Sequence, residues 1–170
     1  SRSGPASALS WCSCDGRFLL VTDLFPGAPG THFFLLLVAA VALERLLEMG
    51  LSARNARGAF ARGGVEAESR GFYLLMVVAH VAFLTAGPLE VLLLDRPFIP
   101  PVAIVATWIV VLTMALRYWA ILTLGERWNT RVIVIPGLPA VASGPYRFVR
   151  HPNYVAVAIE VAVLPLVHCA

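Results

Sequence analysis

The chain has 170 residues, of which 59% are hydrophobic and 14% are charged. That much apolar surface cannot be hidden inside one water-soluble core of this size, so the composition excludes a soluble globular domain and points to an integral membrane protein. The 13 basic residues are all Arg, and against 10 acids they leave a net +3, too small and dispersed for a nucleic-acid surface.

Residues 1 to 31 are rich in Ser, Gly and Pro, carry Trp11, Cys12 and Cys14, and show no apolar periodicity. They read as an irregular leader. The chain begins without Met and its apolar run starts too late for an ordinary signal peptide, so it reads as processed or trimmed. Cys12 and Cys14 have no second ligand pair, and are read as unpaired thiols.

Four apolar segments follow, since a spanning helix needs roughly 20 residues with few charges. The first is predicted over residues 32 to 51 and ends among Glu44, Arg45 and Glu48, where Arg45 and Glu48 can pair at i,i+3 as an interfacial salt bridge. The second covers residues 72 to 94. His80 lies within it and is expected to make an interhelical hydrogen bond, while Glu90 near its far end is expected to be solvated. No second His or Cys stands at ligand spacing, so no metal is assigned. Asp95-Arg96 is a short link, making the second and third segments an antiparallel pair.

The third segment, residues 98 to 124, is entered through Pro97, Pro100 and Pro101 and left at Gly125. Arg117 and Tyr118 occur about two turns before its end, deeper than a snorkelling head group needs, so Arg117 is expected to face an internal polar cavity. After a turn over Gly125-Glu126-Arg127-Trp128-Asn129-Thr130, with Trp128 at the membrane interface, Arg131-Val132-Ile133-Val134-Ile135 is β-branched and stops at Pro136-Gly137. That pattern predicts a short strand or hairpin on the membrane surface. The linker is long for a mere connection and rich in donors, as functional loops are.

The richest polar run is Gly144-Pro145-Tyr146-Arg147-Phe148-Val149-Arg150-His151-Pro152-Asn153-Tyr154. Guanidinium, imidazole and phenol groups are costly at a bilayer boundary unless something polar and aromatic binds there, and the run reads as a ligand site. A fourth segment starts near Tyr154 and reaches the end of the sequence at Ala170 after about 16 residues, short of a full span. Glu160, nearly two turns in, needs a partner if buried, and Arg117 is one candidate. Cys169 reads as a small buried hydrophobe.

Arg54, Arg57, Arg62 and Arg70 fill the link after the first segment, and Arg127, Arg131, Arg147 and Arg150 the link after the third. By the positive-inside rule both links are cytosolic, and the polar run then faces soluble cofactors. The predicted fold is all-α, with about four transmembrane helices, the last incomplete, and a cytosolic β-hairpin or loop before the last.

Gly125-Glu126-Arg127-Trp128, the β-branched run, Ser143-Gly144-Pro145-Tyr146-Arg147 and Arg150-His151-Pro152-Asn153-Tyr154 together resemble the isoprenylcysteine carboxyl methyltransferase family. The segment Glu44 to Arg57, with Ser52 and Arg54-Asn55, is similar to bacterial members, including those acting on phenolic lipids. The resemblance covers residues 31 to 170, so residues 32 to 170 form one methyltransferase-like membrane unit. It implies an enzyme of the bacterial plasma membrane, or of the endoplasmic reticulum in a eukaryote, that binds S-adenosylmethionine at its cytosolic face. The partner it implies is a lipophilic acceptor, a prenylated cysteine or a phenolic lipid, arriving from the bilayer and methylated on a carboxylate or hydroxyl oxygen.

On matching positions, Tyr146, Arg147, Arg150, His151, Pro152 and Tyr154 would bind the cofactor, with Pro152 shaping the chain. Arg117 and Glu160 are the candidate catalytic residues, Arg117 to hold an anionic acceptor. A carboxylate acceptor needs no base; a phenol, with an ordinary pKa of about 10, does, and the sequence assigns that role to neither Glu160 nor His151. Ala156 stands where many relatives carry Gly, and the family's Arg- and Glu-rich carboxyl tail is not found before residue 170, so the sequence reads as incomplete at that end. Two other readings stay open: an NADPH-dependent sterol-type reductase, which shares an Arg-His-Pro-x-Tyr tail, and a catalytically silent membrane subunit.

Overall fold

The computed structural model describes residues 29–94 and 96–169, so Trp11, Cys12, Cys14 and most of the expected leader lie outside the described residues. Four helices carry the chain: α1 (Pro29–Ala61), α2 (Arg70–Leu93), α3 (Pro100–Leu124) and α4 (Pro152–Val163). Two of them, α2 and α3 with the turn that extends it to Arg127, are long and apolar enough to cross a membrane. The apolar helix continuing from α4 to Val167 is shorter.

Helix α1 corrects the first predicted segment, running ten residues beyond the expected end at Leu51. Its buried and half-buried residues explain why. Phe34, Val41, Glu48 and Asn55 stand seven apart, as do Val38, Arg45, Ser52 and Ala59, the spacing that keeps one seam turned to a neighbouring helix. The seam is apolar up to Val41, polar from Glu44 to Asn55, and closes on Ala56 and Ala59. Because its polar half meets partners on other elements, the salt bridge does not end the helix.

Helix α3 presents Ala103, Ala106, Val110, Thr113, Arg117 and Ala120 to the interior at three- and four-residue steps, and packs closely on α4. The small residues of this stripe let the backbones approach, as in helix pairs that associate within lipid. Helix α2 packs mainly on α1 rather than on α3, despite the short link that joins α2 to α3. Most of its large side chains, among them Phe72, Leu74, Leu75 and Val78, are exposed, as suits a lipid-facing surface. His80 makes its hydrogen bond within α2, to the Met76 carbonyl at 2.8 Å, and not across helices. Glu90 is paired with Arg96 instead of being merely solvated.

The predicted strand is present but is not half of a local hairpin. β2 (Ile133–Val134) pairs antiparallel with β1 (Val65–Glu66) from the link after α1, with Val65 opposite Val134 and Glu66 opposite Ile133. The two Arg-rich links are thereby stitched together. The Arg131 guanidinium adds a second stitch, lying 5.5 Å from the Tyr73 ring centroid at the start of α2 and 3.6 Å from Glu66. At the opposite end, buried His168 closes the core against Phe34 and Phe98, with Nε2 3.1 Å from the Thr31 hydroxyl. Cys169, expected to be buried, is half-exposed.

Candidate active site

The end of the bundle where the links meet is held by α1. Asn55 donates to the carbonyls of Gly125 and Trp128 at 3.2 and 2.8 Å, and the Ser52 hydroxyl meets the Thr130 backbone N–H and hydroxyl at 2.9 Å each. These bonds draw the turn after α3 onto α1 and bury Trp128 to 2% exposure, against its expected interfacial place. Arg54, Asn55, Gly58, Arg62 and Glu126 line a cavity of about 320 Å³ at this end.

The run singled out in the sequence packs against the last turn of α3. Residues Gly144–Arg147 form a single 3-10 turn, with Pro145 buried and Tyr146 half-buried. Burial pushes the Tyr146 hydroxyl above the usual phenol pKa, which keeps it protonated and able to donate. Gly144 has φ +56° and fits tightly against the last turn of α3, for a Cβ there would lie 2.4 Å from the Thr123 hydroxyl oxygen. Gly144→Ala is therefore expected to cost about 1–3 kcal/mol through left-handed strain and overlap, read as a lower unfolding midpoint in detergent.

His151 is the N-cap of α4 and Pro152 its first residue, where a missing N–H is harmless. The His151 carbonyl accepts from the N–H groups of Tyr154 and Val155 at 3.1 and 3.2 Å, which sets the first turn. The His151 and Tyr154 rings stack with centroids 5.3 Å apart and planes 22° from parallel, and both are exposed. Arg147 and Arg150 are exposed, and neither has a carboxylate within 4.0 Å among the described residues. Asn153 Oδ1 is buried without a hydrogen-bond partner. This end of α4 thus offers the exposed Arg150 guanidinium, that of Arg147 lying over the Phe148 ring at 5.9 Å, a stacked imidazole and phenol pair, and a buried acceptor with no donor.

Arg117 and Glu160 are both buried, at 5% and 4% exposure, but they do not pair with each other. Arg117 grips Glu48 of α1 with both arms, Nε to Oε1 at 2.5 Å and Nη2 to Oε2 at 2.7 Å. Glu160 accepts instead from Arg45 of α1 at 2.8 Å, and Arg45 also donates to Glu48 at 2.7 Å. The i,i+3 pairing of Arg45 with Glu48 is as the spacing predicts. The result is an alternating chain of charge, Arg117 to Glu48 to Arg45 to Glu160, that ties α1, α3 and α4 together inside the bundle. Glu44 joins it at 3.4 Å from Arg45. Glu160 lies six residues beyond Tyr154, so at 1.5 Å per residue the network sits about 9 Å along α4 from the ring stack. The seven-residue spacing of Glu48 with Val41 and Phe34 was the signal in the sequence that these α1 charges point inward.

On the α3–α4 face a groove of about 380 Å³ is lined only by apolar residues, among them Val105, Ile109, Val163 and Leu166. Apolar helices of spanning length and a polar end built of Arg, His and Tyr define a helical membrane protein. A family model described as the isoprenylcysteine carboxyl methyltransferase (ICMT) family matches residues 104–170. The chain is 33% identical over 138 residues to "Uncharacterized protein YpbQ" of Bacillus subtilis strain 168, covering 81% of this chain and 80% of that one. It is also 27% identical over 116 residues to an "Uncharacterized protein" of Haemophilus influenzae, covering 68% and 66%. No solved structure matches. The chain belongs to the ICMT family, and so to the membrane methyltransferases.

Proposed function

We propose that the chain is an S-adenosylmethionine-dependent O-methyltransferase acting on a lipophilic acceptor at the cytosolic face of the membrane. The observation that carries this reading is the turn-and-cap from Gly144 to Tyr154, in which Arg147 and Arg150, without carboxylate partners among the described residues, precede a stacked His151–Tyr154 pair in a member of this family. The donor set fits that cofactor. Its carboxylate suits Arg150 and His151, its adenine the faces of Tyr146 and Tyr154, and its sulfonium an aromatic face. Asn153 Oδ1 is an acceptor awaiting a donor in the same first turn of α4. When bound, the cofactor supplies an electrophilic methyl group; the chain's own residues orient it and keep water out.

In this reading residues 32–170 act as one membrane unit, with α1 and α4 joining α2 and α3 as spans. The Arg-rich links face the cytosol by the positive-inside rule. Arg117 and Glu160, set deeper, serve the acceptor: Arg117 keeps Nη1 unpartnered while its other two nitrogens hold Glu48. The apolar α3–α4 groove, open toward lipid, is where an acceptor tail fits. The test is to incubate membranes containing the chain with S-adenosylmethionine labelled in the methyl group and extracted lipids. Label entering lipid, and absent without the chain, is the expected result. Label confined to the aqueous phase, or NADPH consumption in its place, rejects the proposal.

A further inference from the structure

Arg54 is exposed near the end of α1 and has no carboxylate within 4.0 Å among the described residues. It lines the cavity of about 320 Å³ with Asn55, Gly58, Arg62 and Glu126, a space roughly ten times the ~30 Å³ that a water molecule occupies in the liquid. Asn55 gives its amide N–H groups to the Gly125 and Trp128 carbonyls, which fixes one wall. Gly58 leaves the space unfilled: a Cβ there would meet only Nη2 of Arg62, at 3.9 Å, so the second guanidinium reaches back over it. Arg62 is held from the other side by Glu126 at 3.2 Å, an exposed pair that costs little to exchange for a better anion. Arg57, the neighbouring cation, turns elsewhere, its Nε donating to the Ala53 carbonyl at 3.4 Å. The cavity therefore carries two guanidiniums against one carboxylate.

The same face of α1 continues into an apolar track. At about 100° per residue, Leu43, Leu47, Gly50, Arg54 and Gly58 fall within about 80° of one another around the helix. All are exposed, Leu43 at 58% and Leu47 at 67%. Gly50 keeps the track shallow, with nothing within 4 Å of where a Cβ would sit. At 1.5 Å per residue the rise from Leu43 to Arg54 is about 16 Å, close to half of a hydrocarbon core ~30 Å thick. We propose that this face binds an anionic phospholipid, with the phosphate held in the cavity by Arg54 and Arg62 and an acyl chain laid along Leu47 and Leu43. A phosphate diester matches guanidinium donors in charge and in geometry. As it enters, Arg62 exchanges Glu126 for it, so Glu126 competes with the ligand. A headgroup of zero net charge gains less, because its own cation meets the two guanidiniums. A soluble phosphate ester shares the headgroup chemistry but leaves the track uncovered. Lipid binding here does not depend on the methyl-transfer reading.

The experiment titrates the full chain, purified in neutral-detergent micelles, with dioleoyl phosphatidylglycerol and follows bound lipid by native mass spectrometry. One lipid per chain is expected to add ahead of weaker, unspecific uptake. Dioleoyl phosphatidylcholine and glycerol 3-phosphate are expected to bind about 10-fold more weakly or worse. Arg54→Gln and Arg62→Gln are each expected to weaken the lipid by about 10-fold, the loss of one hydrogen bond to a charged group. Arg57→Gln removes the same charge beside the cavity and is expected to stay within about twofold. Gly58→Leu fills the space and is expected to abolish the specific addition. Its unfolding midpoint is expected not to fall, since the new side chain meets only the tip of Arg62 and leucine suits a helix better than glycine. Glu126→Gln releases Arg62 and is expected to tighten binding; weaker binding in that variant contradicts the proposal. Equal loss in Arg57→Gln, equal uptake of phosphatidylcholine, or unchanged uptake in Gly58→Leu overturns it. Glycerol 3-phosphate binding as tightly as the lipid also overturns it, for the ligand is then soluble and the Leu43–Leu47 track idle. Lipid uptake is read without S-adenosylmethionine, so its failure is distinct from a failure of methyl transfer.

Discussion

Replacing Arg117 by Ala is expected to cost about 3–5 kcal/mol of stability, because Glu48 is left as an uncompensated charge inside the bundle. The pair is bidentate and buried on both sides, with Glu48 at 5% exposure, so water does not stand in for the lost guanidinium. Removing both partners, as in E48L with R117L, is expected to recover most of the loss, since apolar groups of similar volume tolerate that interior. The check is the denaturant midpoint in detergent of the two single variants and the double. A loss for R117A below about 1 kcal/mol, as for an exposed pair, would show that the network is solvated. Arg117 is thus a structural residue as well as a candidate for holding the acceptor, and its activity loss is interpretable only beside that measurement.

Weakening of cofactor binding by about 10- to 100-fold is expected for His151→Ala and Arg150→Ala, the loss of one hydrogen bond to a charged group amounting to about 1.5–3 kcal/mol. Tyr154 separates shape from hydrogen bonding. Its ring stacks on His151, so Tyr154→Phe is expected to bind nearly as the native chain does and Tyr154→Ala to lose affinity. Equilibrium dialysis with labelled S-adenosylmethionine measures all four. None of these side chains is in the core, and their unfolding midpoints are expected to stay close to native. Native affinity in all four variants would move the cofactor away from this end of α4.

The parts of the fold legible in the sequence are those that local rules decide. Pro100 and Pro101 opening α3, Gly125 closing it, and Ile133-Val134 forming a strand each follow from one residue's backbone or side-chain preference. The Arg45–Glu48 pair was legible because a helix brings residues three apart together whatever surrounds it.

What was not legible depends on contacts distant in sequence. The length of α1 hid because Ser52 and Asn55, polar and seemingly outside the span, find their partners at Gly125, Trp128 and Thr130. The partner of β2 hid for the same reason, since two residues at 65 and 66 carry no strand signal of their own. Glu160 announced that it needed a cation but not which one. Arg117 and Arg45 lie on different helices, and only the packing shows that Arg117 is taken up by Glu48 while Arg45 is shared between Glu48 and Glu160. The candidate cofactor end was the most legible part of the site. Its residues are contiguous, so a turn and a helix cap bring them together without help from the rest of the chain.

The account's central claim is that the Gly144-to-Tyr154 end binds a methyl-donating cofactor from water. Calorimetric titration of S-adenosylmethionine into the full chain in detergent micelles tests it most directly. A saturable heat with one cofactor per chain, lost in His151→Ala, is the predicted result; no binding heat in a chain that is folded by its unfolding transition contradicts the account.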